Sequence, residues 1–428
     1  MNGLNLADAR HLAVRTGLGA DWSTLKKFRG QSKHRVIQSL YRSTTHLPSA
    51  PLKMTDWQHL NRLNQSGYAG QKQARAIARQ EGIDLKLWWI KHMLKTKTPF
   101  IERMTLFWHN HFTSSIKKVL QPQLLHLQNQ TLRKHALGNF SDLLHAMFRD
   151  PAMLIYLDGR INQKERINEN FAREFLELFT LGIGHFNEND IKAVAHAFTG
   201  WQVNRFDASV FYKDDNHSQI PTRFLGHKGT FSSDEIIAII LKQPRTAEFI
   251  AEKVWYEFIS INHPTRSTIQ QWAQQFRNSH YDIKVLLQAV LSSTEFWHPQ
   301  NRGRRIKSPI EFIVGTSRTL NYVPLSDKEM INTFQRLGQN VFDPPNVAGW
   351  KGGKTWITTD SLLTRNAFLE TLKHPRHQSN IRSAIPNVSS DILQKWLLAI
   401  DPVLPLNHKL SKPQLVNALL LDPSYQLT

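Results

Sequence analysis

Apolar residues recur along most of the chain at three- and four-residue intervals, the spacing of one face of an α-helix. The pattern predicts helices over residues 7–16, 33–41, 83–94, 100–113, 120–137, 140–148, 170–181, 190–201, 233–241, 246–259, 267–278, 283–291, 309–320, 327–337 and 360–372. End signals agree: Asn187 with Asp190 forms a capping-box pattern, and Gly182 stands where the preceding helix should stop. From Trp201 to Phe231 the period changes to alternation broken by turn residues, as in short strands or an irregular flap. From Phe342 to Trp356, "FDPPNVAGWKGGKTW" carries too much Pro and Gly for regular helix, and its aromatics suit a loop pinned to a surface or lining a cleft. The fold class expected is mainly α: a large, bundle-like multi-helix globular protein with one short β-like or irregular flap at about 202–231. The organisation expected is an N-terminal helical region over 1–95, a core over 96–372 and a small C-terminal helical extension over 373–428.

Composition narrows the function classes. At 428 residues and 40% apolar content with 12 Trp, the chain has ample material for a large core. No apolar run approaches the roughly 20 residues that cross a bilayer. The first residues lack the charged start, apolar block and cleavage site of a secretory signal, so the sequence alone suggests a cytoplasmic protein. With no cysteine there is no thiolate chemistry, disulfide or Cys-ligated metal, and any divalent metal must rest on His, Asp or Glu. A formal charge of +20 favours polyanionic partners without choosing among them. The densest basic cluster, "RGRRIK" at 302–307, reads as a solvated face flanking a helix start. The sequence has no phosphate-binding GxxxxGK[ST], no HExxH, no GxSxG and no dinucleotide fingerprint.

Three stretches hold the candidate chemistry. In "MTLFWHNHF" a helical projection places His111 on the stripe of Ile101, Met104, Phe107, Trp108 and Phe112. His109 then falls near Glu102 and Thr105, as a surface histidine beside a carboxylate or as a functional group. Residues two apart do not face together on a helix, so the pair is no ready-made chelate. In 157–184, Asp158-Gly159 reads as a turn and Asn168 or Asn170 as a cap, with Glu174 at the border of a buried face as ligand, base or salt-bridge partner. Glu177 lies further round with Arg173. In 190–201, His196 lies opposite the apolar arc, facing solvent, the flap or another subunit, and His217 and His227 fall in the irregular stretch.

The segments "MTLFWHNHFTSS", "QNQTLRKHALGNF", "DPAMLIYLDG", "NENFAREFLELFTLGIG", "AFTGW", "FLGHKGTF", "KSPIEFIVG" and "FDPPNVAGWKGGKTWI", in this order across nearly the whole chain, resemble the bacterial family catalogued as domain of unknown function 1800. The resemblance singles out His109, Asn110, His111, Asn129, Arg133, His135, Asp158, Asn168, Asn170, Arg173 and Glu174. It implies envelope or extracellular work on an anionic polymer beside a sulfatase- or phosphatase-like partner protein, which sets an exported location against the cytoplasmic one. Two functional readings follow. One is an enzyme using His111 or His109 with Asp158 and Glu174, around a divalent metal or without one. Asn110, Asn129, Arg133, His135, Asn168, Asn170 and Arg173 would then contact an anionic or glycan-like polymer. The other is a basic accessory protein, its polar residues forming a network that fixes the fold. Sequence-specific DNA binding is disfavoured, because no helix-turn-helix or finger pattern is legible.

Overall fold

The fold is that of a computed structural model, which describes residues 3–41, 54–204, 207–407 and 409–428. Helix dominates, and among the described residues the strands form two separate two-stranded antiparallel sheets. Nine of the helices organise the interior and its polar groups: α1 (Leu6–Thr16), α2 (Gly67–Lys95), α3 (Pro99–His111), α4 (Pro122–His135), α5 (Pro151–Tyr156), α6 (Asn170–Glu174), α7 (Glu188–Ala197), α8 (Pro244–Phe258) and α9 (Pro309–Thr319). The strands are β1 (Trp201–Val203), β2 (Val210–Tyr212), β3 (Thr222–Phe224) and β4 (His227–Gly229), with Trp201 opposite Tyr212 and Thr222 opposite Gly229. The expected flap is thus two small hairpins, apart from residues 205 and 206, which lie outside the described residues. No helix is long and apolar enough to cross a membrane among the described residues.

One hydrophobic cluster runs from Leu4 to Tyr425, with contributions from helices early, central and late in the chain. Its middle is α3, where ten of 13 residues are buried. The flap is held to this body by packed aromatics: Phe198, at the end of α7, lies 4.4 Å from Phe148 between ring centroids, and Trp201 lies edge-on to Phe148 at 5.7 Å.

Most predicted helices recur within one or two residues, and the departures have local causes. The helix expected over 120–137 is α4, and a separate short helix that the pattern did not show, Ile116–Val119, precedes it. Leu120 adopts φ +63° and Pro122 opens the next helix, where its missing N–H costs nothing. The helix expected to reach Trp201 stops at Ala197. There the Thr199 hydroxyl donates to the His196 carbonyl and Gly200 takes φ +94°, turning the chain into β1. The helix expected over 170–181 is α-helical only to Glu174 and continues as a π-helical turn, Phe175–Thr180. Helices outside the expected set include Trp57–Gln65 and the first half of α2, most of whose residues are exposed, and the short helices Trp22–Phe28, α5 and Thr294–Trp297. The Asn187–Asp190 capping box forms as expected, and Gly182 follows the π turn at φ +80°.

A helix buried on every side must satisfy its polar groups inside the protein. Glu102 of α3 does so with both oxygens. Arg133 of α4 donates to them from Nε at 2.7 Å and Nη2 at 2.9 Å, and Trp89 of α2 donates at 2.9 Å. His92, also on α2, adds a bond at 3.1 Å. Burial alone would raise the Glu102 pKa, but the bonds and charges of Arg133 and His92 outweigh it and bring it to about 2. Arg133 also donates to Asn129 Oδ1 at 2.7 Å and lies over the Trp88 ring. Removing the carboxylate strands a buried cation. Glu102→Gln is therefore expected to lose about 3–5 kcal/mol in urea unfolding, and adding Arg133→Met should recover part of the loss.

A second buried carboxyl behaves oppositely. Asp150 starts α5, accepting from Met153 N–H at 2.8 Å and Gln128 Nε2 at 2.9 Å. Burial nevertheless pushes its pKa up to about 7, because the bonds it accepts come from neutral donors. A carboxyl whose pKa rises on folding stabilises fully below its unfolded value, about 4, and loses that contribution as pH climbs through about 7. Asp150→Asn keeps the cap without the charge. Urea midpoints at about pH 5 and pH 8 should show the wild type losing roughly 2 kcal/mol relative to this variant; parallel pH dependence of the two would contradict the assignment.

Candidate functional site

The two histidines of α3 do face apart, but neither is on the surface. His109, expected beside Glu102 as a surface histidine or a functional group, is 1% exposed and packs against Trp89, Phe342 and Trp350. The correction follows from α3 being enclosed on all sides, which a projection of one helix does not reveal. His109 Nε2 accepts the Phe342 N–H at 3.2 Å, so Nδ1 carries the proton, and burial lowers the pKa to about 3. His111 donates from Nε2 to the Phe179 carbonyl at 3.0 Å, leaving a lone pair on Nδ1 with no partner. Burial first, and then the charge of Lys253, lowers the His111 pKa to about 3. Phe179 belongs to the π-helical turn, and such turns recur at functional sites.

His111 borders a cleft of about 510 Å³ between α3, α8, the start of α9 and the Gly- and Trp-rich loop at 348–353. The loop is latched to α3 by Asn110, whose Oδ1 accepts the Trp350 N–H at 2.7 Å and whose Nδ2 donates to the Trp350 carbonyl at 3.3 Å. Gly349 makes this approach possible: it sits at φ +75°, and a Cβ there would collide with the oxygens of Asn110.

The floor of the cleft is an ion cluster. Arg103 of α3, 1% exposed, donates from Nε to Glu257 at 2.6 Å and from Nη1 to Glu311 at 2.7 Å, and its Nη2 has no partner. Arg305 bonds the same two carboxylates at 3.4 and 3.3 Å and the Tyr256 carbonyl at 3.0 Å. Glu311 is also the capping-box residue of α9, accepting the Ser308 N–H at 2.7 Å. Burial pushes its pKa up, but Arg103 and Arg305 more than reverse this and hold it well below the usual carboxylate range. The basic cluster 302–307, expected to be a solvated face, is therefore split. Arg304 is exposed, whereas Arg305 joins this cluster and Lys307 is buried over the Tyr425 ring.

Three further groups reach the cleft from α8 at helical positions i, i+3 and i+4: Lys253, Tyr256 and Glu257. Lys253 has no ion-pair partner among the described residues; its ammonium lies 5.0 Å from the Phe249 ring, and burial lowers its pKa despite nearby Glu252. The Tyr256 hydroxyl lies 2.7 Å from His263 Nδ1, and burial, with Glu252, raises its pKa. Trp350, its indole N–H unpartnered, Trp356 and Lys351 complete the rim.

Of the residues singled out in the sequence, Asn110 and His111 border this cleft, and His109 stands behind it against Trp350. Asp158 is at φ +62° in its turn and pairs with Lys118 at 2.8 Å. Glu174 is half-buried, its pKa raised by burial and by Glu177, and does not line the cleft. Asn168 accepts the Asn170 N–H at 2.9 Å, and Asn170 donates to the Leu157 carbonyl at 3.1 Å, closing the Asp158 turn onto α6. Arg173 donates to both oxygens of Glu188 on α7 at 2.9 and 2.8 Å. Asn129 and Arg133 belong to the Glu102 network, and His135 is half-buried at the end of α4. In the flap, His196 Nδ1 lies 2.8 Å from the Ser218 hydroxyl and His217 packs against Thr199, both within the hairpin region's own bonding. Among the described residues no three His, Asp or Glu side chains gather as metal ligands would. The sequence reading missed Arg103, Lys253, Tyr256, Glu257 and Glu311. The legible signals were the i, i+3, i+4 trio on one amphipathic helix and the "SPIE" capping box before α9.

No curated protein and no solved structure matches the chain. A family model described as "Protein of unknown function (DUF1800)" matches residues 11–427, and the chain belongs to that family.

Proposed function

We propose that the cleft between α3, α8 and the Gly- and Trp-rich loop binds and processes a stretch of anionic, sugar-like polymer. The observation that carries this reading is the mismatch of charge and bonding in the lining. Arg103, Lys253, Arg305 and Lys351 supply four cations against the two carboxylates Glu257 and Glu311, an excess of two, while Arg103 Nη2 and the Trp350 indole N–H are buried donors without acceptors. Unsatisfied buried donors are costly, and an incoming anionic oxygen satisfies them. Tyr256, the exposed ring of the lining, offers a flat apolar face with a polar edge, the surface a sugar ring stacks on, with Trp350 and Trp356 buried in the cleft wall. His111, neutral, borders the cleft and keeps a buried Nδ1 lone pair without a partner. Asp158 and Glu174 do not enter this version of the enzyme reading, since Lys118 neutralises the one and the other stands outside the cleft.

The accessory-protein reading draws on a different observation: Asn129, Arg133, Asn168, Asn170 and Arg173 all bond within the fold. Under it the cleft captures polymer and a sulfatase-like partner performs the chemistry. Both readings put the ligand in one place, at the envelope or wherever that polymer is met.

Immobilised polygalacturonate and heparin provide the test. Retention should weaken steeply with salt, and Lys351→Glu at the rim should lower affinity about tenfold, or roughly 1.4 kcal/mol. Lys395→Glu, at an exposed position of a C-terminal helix, should change it little. Equal losses in the two variants, or no retention at all, would contradict a cleft-centred site.

A further inference from the structure

We propose that the reaction run in this cleft is β-elimination on a 4-linked hexuronate polymer, with Lys253 as the proton-abstracting base and Tyr256 as the proton donor. This rests on the polymer-binding reading above and adds the chemistry. Lys253 and Tyr256 stand three residues apart on α8, hence neighbours on one helix face, and both border the cleft. Lys253 has no ion-pair partner among the described residues, and its ammonium faces Phe249 rather than a carboxylate. An amine in such surroundings gives up its proton more readily than an exposed lysine, as its lowered pKa indicates, and the neutral form is a base. Tyr256 keeps its proton, since burial and Glu252 disfavour the phenolate, and His263 at 2.7 Å connects its hydroxyl to the exterior.

The cleft carboxylates argue for elimination over hydrolysis. Glycoside hydrolysis by paired carboxyl groups needs one protonated acid and one free carboxylate. Here Glu257 and Glu311 are both shared between Arg103 and Arg305, and the two arginines keep Glu311 ionised. Elimination needs instead a base, a proton donor, and cations that stabilise the charge developing on the sugar carboxylate when its α-carbon loses a proton. Arg103 Nη2 is a buried, unclaimed guanidinium donor for that carboxylate.

The steps balance without any co-reactant. Lys253 Nζ takes the proton from C5, beside the carboxylate. The released electron pair forms the C4=C5 double bond as the C4–O bond to the preceding sugar breaks. The departing oxygen takes the Tyr256 proton and becomes a hydroxyl. Lys253 then returns a proton to solvent and Tyr256 regains one through His263. One glycosidic bond becomes one unsaturated uronate end and one new sugar hydroxyl.

The test incubates the full chain with polygalacturonate or alginate, following the ultraviolet absorbance of unsaturated uronate ends and, separately, retention of the protein on each polymer. The wild type should be retained and should generate the absorbing ends. Lys253→Arg, which keeps the charge and loses the base, should cut that rate at least about 100-fold with retention within a few-fold of wild type. Tyr256→Phe, which keeps the ring, should slow it comparably, and retention reports that both variants are folded. Retention with no unsaturated ends, new reducing ends without absorbance, or an undiminished rate in Lys253→Arg would overturn elimination while leaving polymer binding in place. Failure of the wild type to bind either polymer would overturn both.

Discussion

The Arg103 guanidinium, enclosed in the protein and forked between Glu257 and Glu311, is the interaction on which the rest of the candidate site depends. A buried charge is tolerated only when opposite charges meet it with good geometry, and these two come from helices far apart in sequence. One residue of α3 therefore fixes the positions of α8 and α9. The same enclosure acts one residue earlier, where Glu102 draws α2 and α4 together through Trp89, His92 and Arg133. Adjacent charges of opposite sign point from α3 into different neighbours, so this helix orients four others around itself.

The cleft inherits its character from that arrangement. Two arginines share two carboxylates, which neutralises the floor but leaves Lys253 and Lys351 unmatched along the walls. Arg103 spends two of its nitrogens inside the protein and keeps the third free, a donor held in place before any ligand arrives. Asn110 and Gly349 add the opposite wall by clamping a loop whose backbone could not approach α3 with a larger side chain. His109 and His111 remain neutral because burial disfavours their charged forms. Their role is to hold and accept hydrogen bonds, with the cationic character supplied by Lys and Arg.

Much of the fold was legible because helical periodicity and capping are local. The α3 stripe, the Asn187 capping box and the turn at Asp158 all follow from residues within a few positions of one another. The site was less legible because its members are chosen by long-range pairing. Glu102 and Arg103 look like ordinary surface charges in sequence, and only Arg133, Glu257 and Glu311, 31 to 208 residues away, make them interior groups. Lys253 reads as one polar position on an amphipathic helix, and only the fold sets it in a cleft that the Gly- and Trp-rich loop also lines. The π-helical turn that presents the Phe179 carbonyl to His111 has no pattern of its own in the residues, so the environment of His111 could not be drawn from them. Motif residues such as Asn168, Asn170 and Arg173 turned out to close a turn and join two helices.

Hydrogen–deuterium exchange read by mass spectrometry, with and without a hexuronate oligosaccharide, tests the central claim most directly. The account predicts new protection in peptides covering 103–111, 250–258 and 348–356, with little change in the flap at 210–229. Protection concentrated on the flap, or spread evenly over the basic surface, would contradict it.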